Sequence, residues 1–531
     1  MKSPLDVLRS YRAHNGTLHD AFASRCQNRK NDVFIIQSGV SLTWGQFGVR
    51  YDRLARALSA LGIGQGDRVA VVGRNDMAHL LSLFALARLG AIMVPVNPEY
   101  SVRELTYALD HAEVKGIIAQ ADLVPSIERA TQALAQKPWT LLWGQTPTGD
   151  GASFGQAIDN APDIPLAQTG KATDTCVIIY TSGTTGFPKG VMHSQRNLLL
   201  AGEANVARLH IQPDDRVMII LPFFHVNALF YSLGGVLAAG ASMIVEPRFS
   251  ATHFWDTAAD YGATIVNIIE AIGTILCARD RSEYRADHCL RVVYGVRKKA
   301  TETFRREFGI DRLFSGFGMT EIPGVTCNPY DGPDKAGSMG VIGTHPDPGT
   351  PWAQCRVVDD DGCDVGTDQA GELWVRSPIV MQGYFRNPEQ TEQAFHEGWL
   401  KTGDLVRRDA DGFYFHISRK KDIIRRRGEN IAAAELEMVI GEHPDVFQVA
   451  ALAVPSEVGE DDIFVAVVAR PGATLSESDV AAWCADRLAA IKVPRYVVLL
   501  DALPLTPTHK IAKAVLREDA TIRARAVDLQ G

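Results

Sequence analysis

Tyr180-Thr181-Ser182-Gly183-Thr184-Thr185-Gly186-Phe187-Pro188-Lys189-Gly190 is the stretch on which the reading of this chain turns. Its three glycines relieve the penalty on positive φ, so successive backbone N–H groups can line one concavity. Four Ser/Thr hydroxyls and one lysine add donors around it, which is how a chain holds polyphosphate. The spacing is not that of the P-loop NTPases, because Gly190 follows Lys189 where Ser or Thr would stand, and no helix begins directly after it. Instead the apolar run 176–180 enters the loop as a strand, residues 190–193 leave it as a second, and Ser194 reads as the N-cap of a helix. A phosphate nest between two strands, with no helix dipole behind it, is the expectation.

Outward from this loop, apolar runs alternate with helical segments. Strands are expected at 33–37, 68–72 and 91–94, the last closed by Pro95, with helices from about Thr43 and after Asn75. Past the loop come a helix from Ser194, a strand at 216–221, a helix near 229–239 and a strand at 242–246. Such alternation predicts layered α/β architecture with helices over mainly parallel strands, and its repetition predicts two related α/β halves in a large N-terminal domain. Gly62-Ile63-Gly64-Gln65-Gly66 imitates a dinucleotide fingerprint, but a strand follows it where a helix is required. Residues 354–378 read as a small β-rich subdomain. A strand at 413–417 then meets the charged run Arg419-Lys420-Lys421-Asp422, which places a boundary between domains 1–418 and 419–531. The second is expected to be a small mobile α+β domain, with a helix at 432–440, strands at 449–454 and 464–468, and frayed last residues.

Composition bounds the rest. A chain of 531 residues exceeds one core, and 46% apolar residues suffice for several. Acidic residues (62) outnumber basic ones (54), which argues against nucleic acid as a partner. Eight cysteines without a Cys-x-x-Cys pair suit reduced thiols in the cytoplasm. The apolar tract 217–245 is interrupted by Pro222, His225, Asn227 and paired glycines, so it reads as buried strand, loop and helix with no membrane span. The oligomeric state stays open, with a homodimer among the allowed forms.

Four further stretches carry chemistry. Gly316-Phe317-Gly318-Met319-Thr320-Glu321 sets an aromatic face among glycines before a hydroxyl and a carboxylate, a set suited to a purine and to magnesium; taken alone, Thr320-Glu321 reads equally well as a helix start. Gly398-Trp399-Leu400-Lys401-Thr402-Gly403-Asp404-Leu405 contains an Asp that by itself marks a turn. Pro504-Leu505-Thr506-Pro507-Thr508-His509-Lys510-Ile511 holds a lysine that by itself is a solvated charge. His225, in Pro222-Phe223-Phe224-His225, is by itself a core histidine.

Together these stretches resemble, in order and spacing, the adenylate-forming superfamily of acyl-CoA synthetases, firefly luciferase and peptide-synthetase adenylation domains, and most of all the crotonobetaine/carnitine-CoA ligase type. The resemblance implies an ATP-dependent acid:CoA ligase that forms an acyl-adenylate, releases pyrophosphate and transfers the acyl group to CoA. Adenylation for another acceptor, an amino-acid or carrier-protein partner or a luciferase-type oxygenase, is the alternative. It further implies that residues 181–186 and Lys189 hold the phosphates, and that Gly316 to Thr320, with Phe317 stacked on adenine, flank the base. Thr181 and Glu321 would bind Mg2+, Asp404 and Arg419 the ribose, and Lys421 would be the hinge. Lys510 becomes the catalytic lysine bridging carboxylate and α-phosphate, with Glu321 and His225 as its catalytic companions. His225 stands at the mouth of the acyl pocket with Asn227, Gly295 and Arg297, and CoA is received at Arg427, Gly428 and Glu429. Three positions depart from the pattern: His509 stands for a glycine, Tyr294-Gly295-Val296-Arg297 for the small residues bordering the acyl tunnel, and Arg427 for a second glycine.

Overall fold

The computed structural model describes every residue except 145–151, 167–168, 182–187, 297, 427–428, 457–459, 506–510 and 530–531. The chain forms two compact units, Met1–Gln354 with Val375–Leu400, and Cys355–Trp374 with Lys401–Gly531.

The first unit is built on two large sheets. One has seven strands in the order Arg312–Phe314, Val292–Tyr294, Ile265–Asn267, Arg216–Ile219, Ser242–Val245, Val33–Gln37 and Val40–Thr43, all parallel except the last pair. The other has eight, in the order Gly383–Tyr384, Lys189–Ser194, Thr175–Thr181, Ile92–Val96, Arg68–Val72, Gly116–Gln120, Trp139–Trp143 and Ala152–Ser153. Their central strands are short apolar runs buried along most of their length, as strands covered on both faces are. Helix Trp44–Ala60 starts from a capping box on Thr43, and Met77–Arg88 from an Asp76 cap. Phe22, Phe34, Trp44, Phe47 and Phe84 close the space between the N-terminal helices and the first strands, with ring centroids 4.3–5.7 Å apart.

The two α/β halves are present as the two large sheets, but the chain does not fill them one after the other. Val33–Gln37 lies parallel to Ser242–Val245 in the sheet otherwise made after the phosphate loop, and Gly383–Tyr384 returns to the edge of Lys189–Ser194. The apolar periodicity marks a strand but says nothing of its neighbour, so pairing at this sequence distance was not readable. Pro95 does not close its strand but lies inside Ile92–Val96, opposite Val71. The ladder on that strand's second side is a single pair, Met93↔Val177, so a residue lacking an N–H is accommodated.

The tract 217–245 divides into the strand Arg216–Ile219, a π-helix Asn227–Leu233, the helix Gly234–Ala239 and the strand Ser242–Val245. No helix among the described residues is long and apolar enough to cross a membrane.

Largely in the second unit, the strand Trp399–Arg408 pairs antiparallel with Tyr414–Arg419, extending a sheet that includes Gln354–Val358 and Gly371–Arg376. The boundary expected at 418/419 therefore falls inside this unit, since Arg419 is still paired, opposite Asp404. Beyond the short turn Lys420–Asp422 come a two-stranded hairpin and a four-stranded sheet headed by Val446–Pro455 and Asp461–Ala469, covered by helix Ala433–Gly441. Among the described residues of the segment expected to fray, Val527–Asp528 pairs with Tyr496–Leu499, and Arg495 binds the Asp528 carboxylate at 2.9 Å.

Candidate functional site

The phosphate-loop stretch is a hairpin, with Tyr180 opposite Gly190 and Thr181 opposite Lys189. Thr181 Oγ1 points to the Lys189 carbonyl at 3.5 Å, a long contact that leaves the hydroxyl available to another partner. Ser182, Gly183, Thr184, Thr185 and Gly186 lie outside the described residues, as do Arg297, Arg427, Gly428 and Lys510. Ser194 caps the following helix, Gln195–Leu209, as its position implied.

Lys189 sends its ammonium over the ring of Tyr384, 4.8 Å from the centroid, and the Tyr384 hydroxyl donates to Glu321 Oε1 at 2.8 Å. The edge strand Gly383–Tyr384 makes this possible by pairing beside Lys189–Ser194, with Tyr384 opposite Val191. The Met381 N–H also donates to the Glu321 carbonyl, 2.8 Å away. Lysine, tyrosine and glutamate so form one chain, and a cavity of about 190 Å³ opens beside it, lined by Tyr107, His111, Lys189 and Tyr384.

Thr320 and Glu321 do not begin a helix. They form the turn between the antiparallel strands Gly316–Met319 and Ile322–Cys327. The glycines here serve backbone packing: a Cβ on Gly318 would stand 2.4 Å from Tyr231 Oη and 2.5 Å from the Gly324 nitrogen. Phe317 is buried, with 7% of its surface exposed. The turn is held from below by a residue the sequence reading missed. His193, fully buried, places Nε2 2.7 Å from the Thr320 carbonyl, and the Asn197 amide reaches its Nδ1 at 3.3 Å. A carbonyl only accepts and an amide N–H only donates, so the imidazole is the neutral Nε2–H tautomer. Burial lowers its pKa to about 4.

In the seven-stranded sheet, the carboxyl ends of neighbouring parallel strands deliver Asn267, Tyr294-Gly295 and Phe314, in register. Carboxyl ends of parallel strands are where open α/β sheets bind ligands. Arg216–Ile219, next in the sheet, leads to His225 and Asn227, the latter opening the π-helix. Gly295 is required by close approach: at φ +101°, a Cβ would lie 1.9 Å from the Ile268 carbonyl oxygen. The His225 N–H donates to the Pro222 carbonyl at 3.1 Å and its ring tilts against Phe224.

In the second unit Asp404 is 1% exposed. Its Oδ1 receives Arg419 Nε at 2.8 Å and His416 Nε2 at 3.0 Å, while Oδ2, also buried, has no hydrogen-bond partner among the described residues. The antiparallel register brings Arg419 opposite Asp404, and His416 was missed because its strand gives no motif. Lys421 lies in the turn Lys420–Asp422, and Glu429 opens a hairpin strand opposite Arg426.

The AMP-binding enzyme family model matches residues 22–385, and that of the AMP-binding enzyme C-terminal domain matches 435–510. The chain is 32% identical over 494 residues to the sulfoacetate–CoA ligase of Cupriavidus necator, covering 91% of this chain and 93% of that one. It is 28% identical over 486 residues to the crotonobetaine/carnitine–CoA ligase of Salmonella agona, covering 88% and 91%. Among solved structures, that of the anthranilate CoA ligase AuaEII with anthranoyl-AMP superposes with a TM-score of 0.86 at 25% identity, over 96% of this chain and 98% of that one. The chain belongs to the AMP-binding, adenylate-forming enzymes.

Proposed function

We infer that the protein is an ATP-dependent acid:CoA ligase. It joins a carboxylic acid to AMP with release of pyrophosphate, then passes the acyl group to the CoA thiol with release of AMP. The observation that carries this reading is the Lys189–Tyr384–Glu321 chain behind the phosphate-loop hairpin, in a chain that acid:CoA ligases match over about nine-tenths of its length.

A carboxylate is a poor electrophile, and the mixed anhydride with AMP makes its carbonyl attackable. Catalysis of that first step is mainly positioning and charge neutralisation around the phosphates. Lys189 and the loop donors hold the phosphates, and Gly316, Phe317 and Gly318 flank the base. Asp404 takes a ribose hydroxyl on Oδ2, the open acceptor left by its bonds to Arg419 and His416. Lys510 offsets repulsion between the acid's carboxylate and the α-phosphate. Mg2+ fits the donor set, a Glu321 carboxylate and a Thr181 hydroxyl, both hard oxygen ligands, and when bound would neutralise phosphate charge. No group of three or more His, Cys, Asp or Glu among the described residues is arranged for a metal. The eight free thiols support a reducing, cytoplasmic setting.

The acid's tail is polar or bulky and not a long saturated chain, because Asn227 stands two residues after His225 where a greasy tunnel would be apolar. The test is pyrophosphate release across short, aromatic and zwitterionic acids and palmitate, with and without CoA, on the wild type and Lys510→Ala. Lys510→Ala should slow adenylation by on the order of 10² to 10³ while forming thioester from synthetic acyl-adenylate near the wild-type rate. Highest efficiency with palmitate, or a variant that fails only at thioester formation, would refute these assignments.

A further inference from the structure

We propose that Asn267, supported by Ser232 and Asn227, selects an acid whose tail carries a hydroxyl group. The proposal rests on the ligase reading above and names the chemistry of its acid. Asn267 ends the strand Ile265–Asn267, between Arg216–Ile219 and Val292–Tyr294 in the parallel sheet, and is 2% exposed. Its Nδ2 donates to Ser232 Oγ at 2.9 Å, and its Oδ1, buried, has no hydrogen-bond partner among the described residues. Asn227 Oδ1 is in the same condition.

Asn227 and Ser232 are five residues apart in the π-helix Asn227–Leu233, whose turn closes between i and i+5, so both look out from one side of it. Asn267 meets that side through Ser232. Just past Asn267 the backbone packs closely on the neighbouring strand's end, with the Ile268 carbonyl oxygen where a Gly295 side chain would be. Asn267 is thus a buried amide with one end engaged and one end open.

An unpaired buried amide atom is costly unless a ligand completes it. Whichever way the Asn267 amide is turned, one end meets Ser232, and a hydroxyl, which donates and accepts, satisfies the other end in either orientation. An ionic tail group would gain no opposite charge from the neutral Asn267 and Asn227 amides or the Ser232 hydroxyl. An all-carbon tail leaves the amide as unsatisfied as before.

The test uses isosteric pairs, 5-hydroxypentanoate against hexanoate and 4-hydroxybenzoate against 4-methylbenzoate, with 5-aminopentanoate and glutarate as charged tails. kcat/KM is read from pyrophosphate release. The wild type should favour the hydroxyl member of at least one pair by roughly tenfold or more, as sites built to bond a hydroxyl do. Asn267→Leu should bring that ratio to about one, and Asn267→Ser should retain part of it. Equal or better use of the methyl members throughout, preference for a charged tail, or an unchanged ratio in Asn267→Leu would overturn the proposal. The sulfamoyl-adenosine analogues of the same acids, ranked by thermal shift, give the ratio without turnover. Hydroxyl-selective binding with no pyrophosphate release from any acid would overturn the ligase reading and keep the selectivity; release without selectivity does the reverse.

Discussion

A neutral imidazole at position 193 donates Nε2–H to the Thr320 turn while its Nδ1 accepts from Asn197, and a second proton would cost it the Asn197 bond. We expect His193→Ala to leave the Thr320 carbonyl buried without its donor and to raise the KM for ATP about tenfold, the scale of one lost buried hydrogen bond. His193→Asn, which keeps a donor, should recover part of the loss. A role confined to stability would lower Tm in both variants and leave KM alone. The same group makes stability depend on pH. Burial holds its pKa at about 4, against 6.5 in the unfolded chain, so on acidification the unfolded state binds a proton that the folded state refuses. Stability is whole above pH 6.5 and declines as the pH falls from there toward 4, by up to about 3 kcal/mol for this residue. His19 and His79, lowered by burial to about 4 and about 3, act in the same direction. Thermal melts across that window should therefore show a falling Tm, with a shallower slope in His193→Asn.

The hairpin Gly316–Met319 and Ile322–Cys327 is the element whose conformation local sequence did not decide. Thr320-Glu321 suits a helix start by propensity, and what makes it a turn is distant: the His193 imidazole beneath it, and Tyr231 and Gly324 pressed against Gly318. We expect Gly318→Ala to cost about 1–3 kcal/mol, since one contact is rigid backbone, and to raise the KM for ATP by displacing the turn. Denaturation midpoint and ATP kinetics together check this. The strands on either side of residues 182–187 were legible because short apolar runs stop at a glycine-rich loop, a signal contained within about twenty residues. Asp404 and Glu321 were legible only through resemblance, as each alone reads as a turn or a cap. His193, Tyr384 and Asn267 had no signal, because each acquires its meaning from a partner more than thirty residues away.

At the scale of the molecule, the turn Lys420–Asp422 joins the paired strand ending at Arg419 to the helix-covered sheet beyond it. We propose that the chain pivots at Lys421 between the two half-reactions, so that Lys510 serves adenylation and is withdrawn for the thiol. Proline fixes φ, so Lys421→Pro should impair thioester formation more than adenylate formation. Equal loss in both, measured with acid plus ATP and with synthetic adenylate plus CoA, would count against a pivot there. The interleaving of the two large sheets has a different consequence, one for biosynthesis. Val33–Gln37 can find its parallel neighbour only once Ser242–Val245 has been made, and Lys189–Ser194 waits likewise for Gly383–Tyr384. At about 5–20 residues per second, each delay amounts to roughly ten to forty seconds on the ribosome, with an apolar strand edge unpaired. The nascent chain therefore cannot complete either sheet in order of synthesis, and its N-terminal strand must be sheltered until the phosphate loop is long past.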